Sequence, residues 1–228
     1  MSVLAMALFG SQARGDAKPS SDIDILLVTT EPVKKHVNKG QVSLSFYSLE
    51  DLRMKASEGD LFLYHVLHEG RVLYDPSHEF ASLRSMFLLR SSYSQKIGHA
   101  ADFAWFLVHF AEKFQSRLAC RRLTWSVRSI LIARSAESGR PVFSSEELAL
   151  LSPMPEVRYL IAQKDAANIE LNRIKDLRRF LNYCGLSDPL PETQKPSEFE
   201  EHFIQTDNLV GLQFLKSVRE AEQYQEYA

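Results

Sequence analysis

The fold of this chain is decided by residues 3–28, which read VLAMALFGSQARGDAKPSSDIDILLV. The stretch begins with a short apolar run that ends at Gly10, a pattern that is typical of a buried strand. Residues 11–21 are polar and contain Gly15 and Pro19, which favour a loop or a short helix within one. Residues 22–29 return to Ile, Leu and Val. A second strand is therefore predicted directly after the loop.

Two aspartates, Asp22 and Asp24, stand at the start of this second strand. Because strand side chains alternate between faces, both carboxylates point to one face, about 6–7 Å apart at their Cα atoms. Two like charges beside a hydrophobic strand are unfavourable unless a cation neutralises them. Magnesium binds carboxylate oxygens together with the phosphates of a substrate. The pair therefore predicts a divalent-cation site.

Three residues between the two predicted strands suit a phosphate ligand. Gly10 permits close approach of the backbone, and Ser11 offers a hydroxyl and an amide. Arg14 supplies a cation that we expect to meet a triphosphate. Together with the two aspartates, these residues predict a site for a nucleoside triphosphate and magnesium.

The stretch 3–28 resembles the signature of the DNA polymerase β-like nucleotidyltransferase superfamily. It is most similar to the minimal nucleotidyltransferases, of the kanamycin nucleotidyltransferase-like and HEPN-partner antitoxin-like type. The resemblance implies that Gly10 and Ser11 contact the triphosphate, and that Asp22 and Asp24 are the catalytic ligands of two Mg²⁺ ions. It implies transfer of a nucleoside monophosphate, with AMP from ATP as the expected case, to a hydroxyl of a protein or small-molecule acceptor.

One departure from the family concerns its third carboxylate, which lies on the next strand. That strand is predicted over residues 41–47, QVSLSFY, where Ser43 or Ser45 occupies the expected place and no acid is present. Loss of this group should slow transfer by orders of magnitude. The acids that follow in the chain are the candidate substitutes: Glu50, Asp51, Glu58 and Asp60. A degenerate relative that binds nucleotide or a toxin-type partner without catalysis is the alternative.

The rest of the chain divides into two parts by periodicity. A short strand over residues 71–74 ends the α/β part, and the residues after 76 have helical spacing with no convincing strand. We therefore predict an α+β fold, in which a small mixed nucleotidyltransferase sheet with flanking helices over 1–76 precedes an all-α helical bundle over 77–228. The bundle is expected to bind the acceptor. As a third hypothesis, it docks a partner protein or a second copy of the chain.

The composition restricts the class of protein further. With 27 Lys and Arg against 29 Asp and Glu, a net charge of −2 is too small for a protein that coats nucleic acid by bulk attraction. Two cysteines cannot make a disulfide framework. No apolar run approaches the roughly 20 residues of a membrane helix, and the opening residues lack the basic flank of a signal peptide. A cytoplasmic protein with no membrane partner is expected.

Overall fold

The computed structural model describes residues 2–19, 21–32 and 35–226, without the side chains of 222–226. Its sheet has five strands in the order β3-β4-β2-β1-β5. Strands β2 and β4 are parallel, whereas the other neighbouring pairs are antiparallel. The strands are β1 (Val3–Phe9), β2 (Ile23–Thr29), β3 (Lys35–Lys39), β4 (Val42–Ser48) and β5 (Arg71–Tyr74).

The sheet belongs to a compact unit made of Met1–Ser92 and Ala136–Ser144. Apolar side chains from β1 and β2 form its core with residues from α2, α3 and α4. Alternation along β1 puts Ala5, Ala7 and Phe9 into this core, on one face of the sheet. The helices of the unit are α1 (Gly10–Arg14), α2 (Leu49–Ser57), α3 (Leu61–Glu69) and α4 (Glu79–Met86).

Strand β4 presents its serines, not its large apolar residues, to the helix-covered face. Ser43 and Ser45 are 8% and 9% exposed, whereas Leu44 and Phe46 are only half-buried. The alternation of polar and apolar residues predicts the reverse, because apolar side chains normally face the core. The pairing with β2 decides the outcome, since it sets Ser43 beside Asp24 and Ser45 beside the buried Leu26. The two serines therefore extend the face that carries the aspartates.

The second compact unit consists of Tyr93–Ser135 and Ser145–Ala228 and is helical throughout. Phenylalanines at 103 and 106 are fully buried with Phe199, Phe203 and Phe214, as the helical spacing predicts for a core. The helices that lie in it or begin in it are α5 (Ser94–Phe110), α6 (Arg117–Glu137), α7 (Ser145–Leu150), α8 (Val157–Ile161), α9 (Leu171–Tyr183), α10 (Pro196–Gln205) and α11 (Leu209–Glu226), with 3₁₀ turns at Ala111–Lys113 and Ala162–Asp165.

A buried charge cluster on α9 stabilises this helical unit. The Asp176 side chain is 7% exposed and accepts hydrogen bonds from Arg173 at 2.9 Å and from Arg179 at 3.0 Å. The Arg173 guanidinium also lies 4.8 Å from the centre of the Tyr159 ring. Since two cations satisfy one carboxylate here, Asp176 has a structural role.

The predicted α+β fold, a mixed sheet with flanking helices followed by helices alone, is confirmed. Two elements were missed: β3, whose sequence KHVNK is mostly polar, and α10, which begins at Pro196. Proline at the first turn of a helix leaves no hydrogen bond unmade, so Pro196 is compatible with the start of a helix. The domain boundary after residue 76 stays a prediction. Within the described part of the chain, no helix is long and apolar enough to cross a membrane.

Candidate active site

The predicted catalytic aspartates lie at the end of the helix-covered face of the sheet. Asp24 is the second residue of β2, opposite Phe9 of β1 and Ser43 of β4. Asp22 precedes β2 and is exposed, two residues before Asp24 and therefore on the same side. The helix-covered face of β2 is therefore apolar and buried at Leu26, and it becomes acidic where the strand begins, at Asp22 and Asp24.

Gly10 brings the backbone directly against the Asp24 carboxylate. A Cβ atom built on Gly10 would lie 2.7 Å from Oδ2 of Asp24, and the φ angle of Gly10 is +75°. An L side chain is therefore excluded both by the close approach and by the left-handed backbone. The close approach of the loop to Asp24 therefore requires glycine at position 10.

The Asp24 carboxylate has no partner in the part of the chain that the structure describes. Among the described residues, no donor forms a hydrogen bond with it and no cation forms an ion pair with it. The side chain is nevertheless half-buried. A half-buried carboxylate without a donor is unfavourable unless a cation or water satisfies it. Its setting therefore fits a divalent-cation ligand.

The loop after β1 presents the other predicted binding residues. Ser11 is half-buried in α1, and its hydroxyl makes no hydrogen bond within the described ranges 2–19, 21–32 and 35–226. Its carbonyl accepts the N–H of Gly15, which ends the helix with φ +87°. The Gly15 turn thus closes α1 after five residues and leaves the Ser11 hydroxyl available to a ligand.

Arg14 is held by two carboxylates of its own domain. Its Nε lies 3.2 Å from Asp16 Oδ2 and its Nη1 lies 3.1 Å from Glu69 Oε2. Nδ1 of His65 lies 2.9 Å from the same Glu69 oxygen. The two acids hold the guanidinium beside Glu69, the last residue of α3. Contact between Arg14 and the triphosphate therefore stays a prediction. It would use the guanidinium N–H groups that are not bonded to Asp16 or Glu69.

The Glu69 carboxylate fixes α1 against the end of α3. Burial raises the pKa of Glu69, but hydrogen bonds and charges from His65 and Arg14 outweigh it and bring the pKa below its usual value of 4.5. A lowered pKa in the folded state means that ionised Glu69 stabilises the fold. This contribution is present above pH 4.5 and is lost as the pH falls through the folded-state pKa.

We expect Glu69→Gln to lower the free energy of unfolding at pH 7 and to lower it less at pH 3, since the stabilisation declines as the pH falls below 4.5. Below its folded-state pKa the wild-type carboxyl is neutral, and so resembles the glutamine. Urea unfolding of both proteins at the two pH values measures the difference. Glu58→Gln, at an exposed position, is the control and should change neither value. An equal loss at pH 3 would show that packing, and not charge, explains the effect.

Among the acids that the structure describes, none completes the pair of aspartates. Within the described residues, no group of three or more His, Cys, Asp or Glu side chains is placed to hold a metal ion. Among the candidate substitutes, Asp60 caps α3 by accepting the N–H of Leu63 and forms an ion pair with Lys55. Glu50 and Asp51 lie in the first turn of α2, which begins only after the far end of β4. Ser43, opposite Asp24, therefore occupies the position next to the aspartates.

The comparisons with known proteins agree with this geometry in the first part of the chain. Residues 1–78 match the family of the nucleotidyltransferase domain. The match agrees with the resemblance that the sequence of this part of the chain predicts, and it covers about a third of the chain. The matched residues include every one of the predicted site residues.

Similar solved structures cover more of the chain but differ considerably in sequence. A nucleotidyltransferase-like protein from Exiguobacterium sibiricum is 20% identical, with 95% of this chain and 73% of that chain covered and a TM-score of 0.32. The spectinomycin adenyltransferase from Enterococcus faecialis, solved with ATP and spectinomycin, is 14% identical, with 79% and 90% covered and a TM-score of 0.42. No curated protein matches the chain.

Proposed function

We propose that the protein transfers a nucleoside monophosphate, AMP from ATP in the expected case, to a hydroxyl of a protein or small-molecule acceptor, with Mg²⁺ as cofactor. One observation carries the proposal. Within a nucleotidyltransferase domain, the Asp24 carboxylate lies against Gly10 and has no partner among the described residues. A carboxylate so placed suits a cation that is shared with a phosphate ligand.

Four of the predicted residues have defined roles in this reaction. Asp22 and Asp24 would hold Mg²⁺, which when bound neutralises phosphate charge and stabilises the entering and leaving oxygens. Gly10 keeps the α1 loop close to the carboxylates, and Ser11 donates its free hydroxyl to a phosphate oxygen. The acceptor oxygen forms a bond to the α-phosphorus, the bond to the β-phosphate bridge breaks, and pyrophosphate leaves. The participation of two Mg²⁺ ions stays a prediction.

A second candidate function is nucleotide or partner binding without transfer. Ser43 favours it, because a hydroxyl faces Asp24 where a carboxylate would serve both as a metal ligand and as a proton acceptor. This candidate keeps the same residues for ATP and Mg²⁺ and differs only in the rate of the chemical step. A partner protein or homodimer through the helical unit is compatible with either candidate.

The experiment that separates the candidates follows the labelled phosphate. Purified protein is incubated with Mg²⁺ and ATP labelled at either the α or the γ phosphate, in the presence of aminoglycosides or protein acceptors. We expect the α label on an acceptor and the γ label in pyrophosphate, because the bond breaks between the α and β phosphates. Transfer of the γ label would contradict nucleotidyl transfer. Binding of ATP with no transfer of either label would favour the second candidate.

A further inference from the structure

Helix α3 holds both ends of the five-residue helix α1. At the first end, the Phe9 ring packs edge-on against two side chains of α3. Its ring centre lies 5.5 Å from that of Phe62 and 5.9 Å from that of His65. At the other end, Nη1 of Arg14 lies 3.1 Å from Oε2 of Glu69, the last residue of α3. The residues on either side of the α1 turn are therefore both fixed to the same helix.

The chain directly after α3 also lies against the end of β1, the strand that leads into α1. A Cβ atom built on Gly70 would lie 3.2 Å from the carbonyl oxygen of Leu8 and closer still to that of Val66. A larger residue at position 70 would push the end of α3 away from β1. The carboxyl end of α3 is thus packed closely against the junction of β1 and α1.

His65 is the one α3 side chain that contacts both supports of α1 among the residues that the structure describes. Its Nδ1 lies 2.9 Å from Oε2 of Glu69, the same oxygen that Arg14 approaches. The edge-on contact with Phe9 involves the same imidazole ring, which also stacks on Phe143 with 4.6 Å between ring centres. The His65 side chain is only 12% exposed. Burial and four contacts therefore fix its orientation.

The position of α1 depends on these contacts because five residues do not form a stable helix on their own. The other partner of Arg14 is Asp16, which belongs to the same loop and does not connect it to α3. Gly10, which lies against the Asp24 carboxylate, and Ser11 form what we call the phosphate turn. A turn that is already ordered loses less entropy when a ligand binds. The contacts with α3 therefore favour phosphate binding without touching the phosphate.

We propose that His65 and Glu69 are positioning residues, which hold the phosphate turn in the arrangement that binds the triphosphate. The proposal rests on the proposed function, since it concerns the same site. Both residues act through the side chains at the two ends of α1 and contact neither the nucleotide nor the acceptor. Their loss weakens nucleotide binding, because the turn must then be ordered when the nucleotide binds. The chemical step, once the nucleotide is bound, keeps its rate.

The experiment measures the dissociation constant of α,β-methylene ATP, with Mg²⁺, by isothermal titration calorimetry on the full-length protein. We expect His65→Ala and Glu69→Gln to raise it about tenfold. His65→Asn keeps an N–H group near the position of Nδ1 and should restore most of the affinity. His68→Ala is the matched control, since the His68 ring contacts Tyr64 and Phe87, and it should leave the constant unchanged.

A second readout separates positioning from a general loss of structure. Pyrophosphate release is measured as a function of ATP concentration, with the acceptor that receives the α label. We expect His65→Ala to raise KM about tenfold and to change kcat less than about twofold, because the lost contribution is to binding. Circular dichroism and the thermal unfolding midpoint of each variant show that it is folded at the assay temperature. A lowered kcat with an unchanged KM would contradict the proposal.

The remaining outcomes distinguish this proposal from the proposed function. If His65→Ala and Glu69→Gln bind the analogue as the wild type does, while Asp24→Asn binds it more weakly, the positioning role is wrong and the proposed active site stands. If His68→Ala weakens binding as much as His65→Ala, the effect comes from α3 as a whole and the role assigned to His65 is wrong. If the wild type does not bind the analogue with Mg²⁺ present, both proposals fail.

Discussion

Asp24→Asn is expected to abolish nucleotidyl transfer while leaving the stability of the protein nearly unchanged. The carboxylate has no hydrogen-bond donor or cation among the described residues, so its replacement breaks no contact within the fold. It also relieves repulsion with Asp22, a like charge two residues away on the same face. Loss of the charged cation ligand should slow transfer by at least about a thousandfold. Initial rates of pyrophosphate release and the thermal unfolding midpoint measure the two effects.

The matched control is Asp176→Asn, which makes the same chemical change at a structural carboxylate. Asp176 is buried between Arg173 and Arg179, and loss of its charge leaves the mostly buried Arg173 guanidinium without its carboxylate, whereas Arg179 keeps Glu156. We expect this variant to lose about 3 kcal/mol of unfolding free energy, with the catalytic residues themselves unaltered. If Asp24→Asn proved as destabilising as Asp176→Asn, Asp24 would have a structural role and the proposed active site would be wrong.

Ser43→Asp is expected to raise the rate of transfer, by about tenfold to a hundredfold. The new carboxylate would stand directly opposite Asp24, where it could bind the cation and accept the proton of the attacking hydroxyl. It would also lower the Mg²⁺ concentration needed for half-maximal rate, since it adds a charge to the site. Pyrophosphate release as a function of Mg²⁺ concentration measures both changes.

Ser45→Asp is the control for this gain. Ser45 lies one pair further along β4 on the same face, opposite the buried Leu26 and hydrogen-bonded to His36, so an acid there is about 7 Å further from the aspartates. We expect no increase in rate and some loss of stability, because a carboxylate is forced against the core. A folded Ser43→Asp variant that transfers no faster than the wild type would show that the native site already has its proton acceptor elsewhere. A gain from a barely active wild type would favour the second candidate function.

Much of the first domain is predictable from local sequence. Strand β1 was predicted over residues 3–9 and β5 over residues 71–74, with the bounds that the structure has. The helix cap at Ser48 is equally local, because its side chain accepts the N–H of Asp51 three residues later. These features can be predicted because they depend on residues only a few positions apart. The alternation of side chains along a strand and the capping of a helix both involve such near neighbours.

The β3 edge strand could not be found in the same way. Its sequence Lys35–Lys39 has a single apolar residue, Val37, because an edge strand exposed to water needs few apolar contacts. A polar strand of this kind has the composition of a loop, so it lacks the alternation of apolar and polar residues that would predict a strand. The sequence therefore does not show that a further strand lies beside β4, on the side away from β2.

The sequence by itself determined that Gly10, Ser11, Asp22 and Asp24 belong to one strand–loop–strand segment, and that the two carboxylates share a face. Alternation along a strand is a local property of the backbone, so this followed without knowledge of the rest of the chain. Only the tertiary structure decided whether Ser43 or Ser45 is paired with Asp24. It also showed that, in the part of the chain that is described, no other acid takes the place of the third carboxylate. The pairing of β2 with β4 joins residues about twenty positions apart, and its register depends on core packing, which a sequence pattern does not specify.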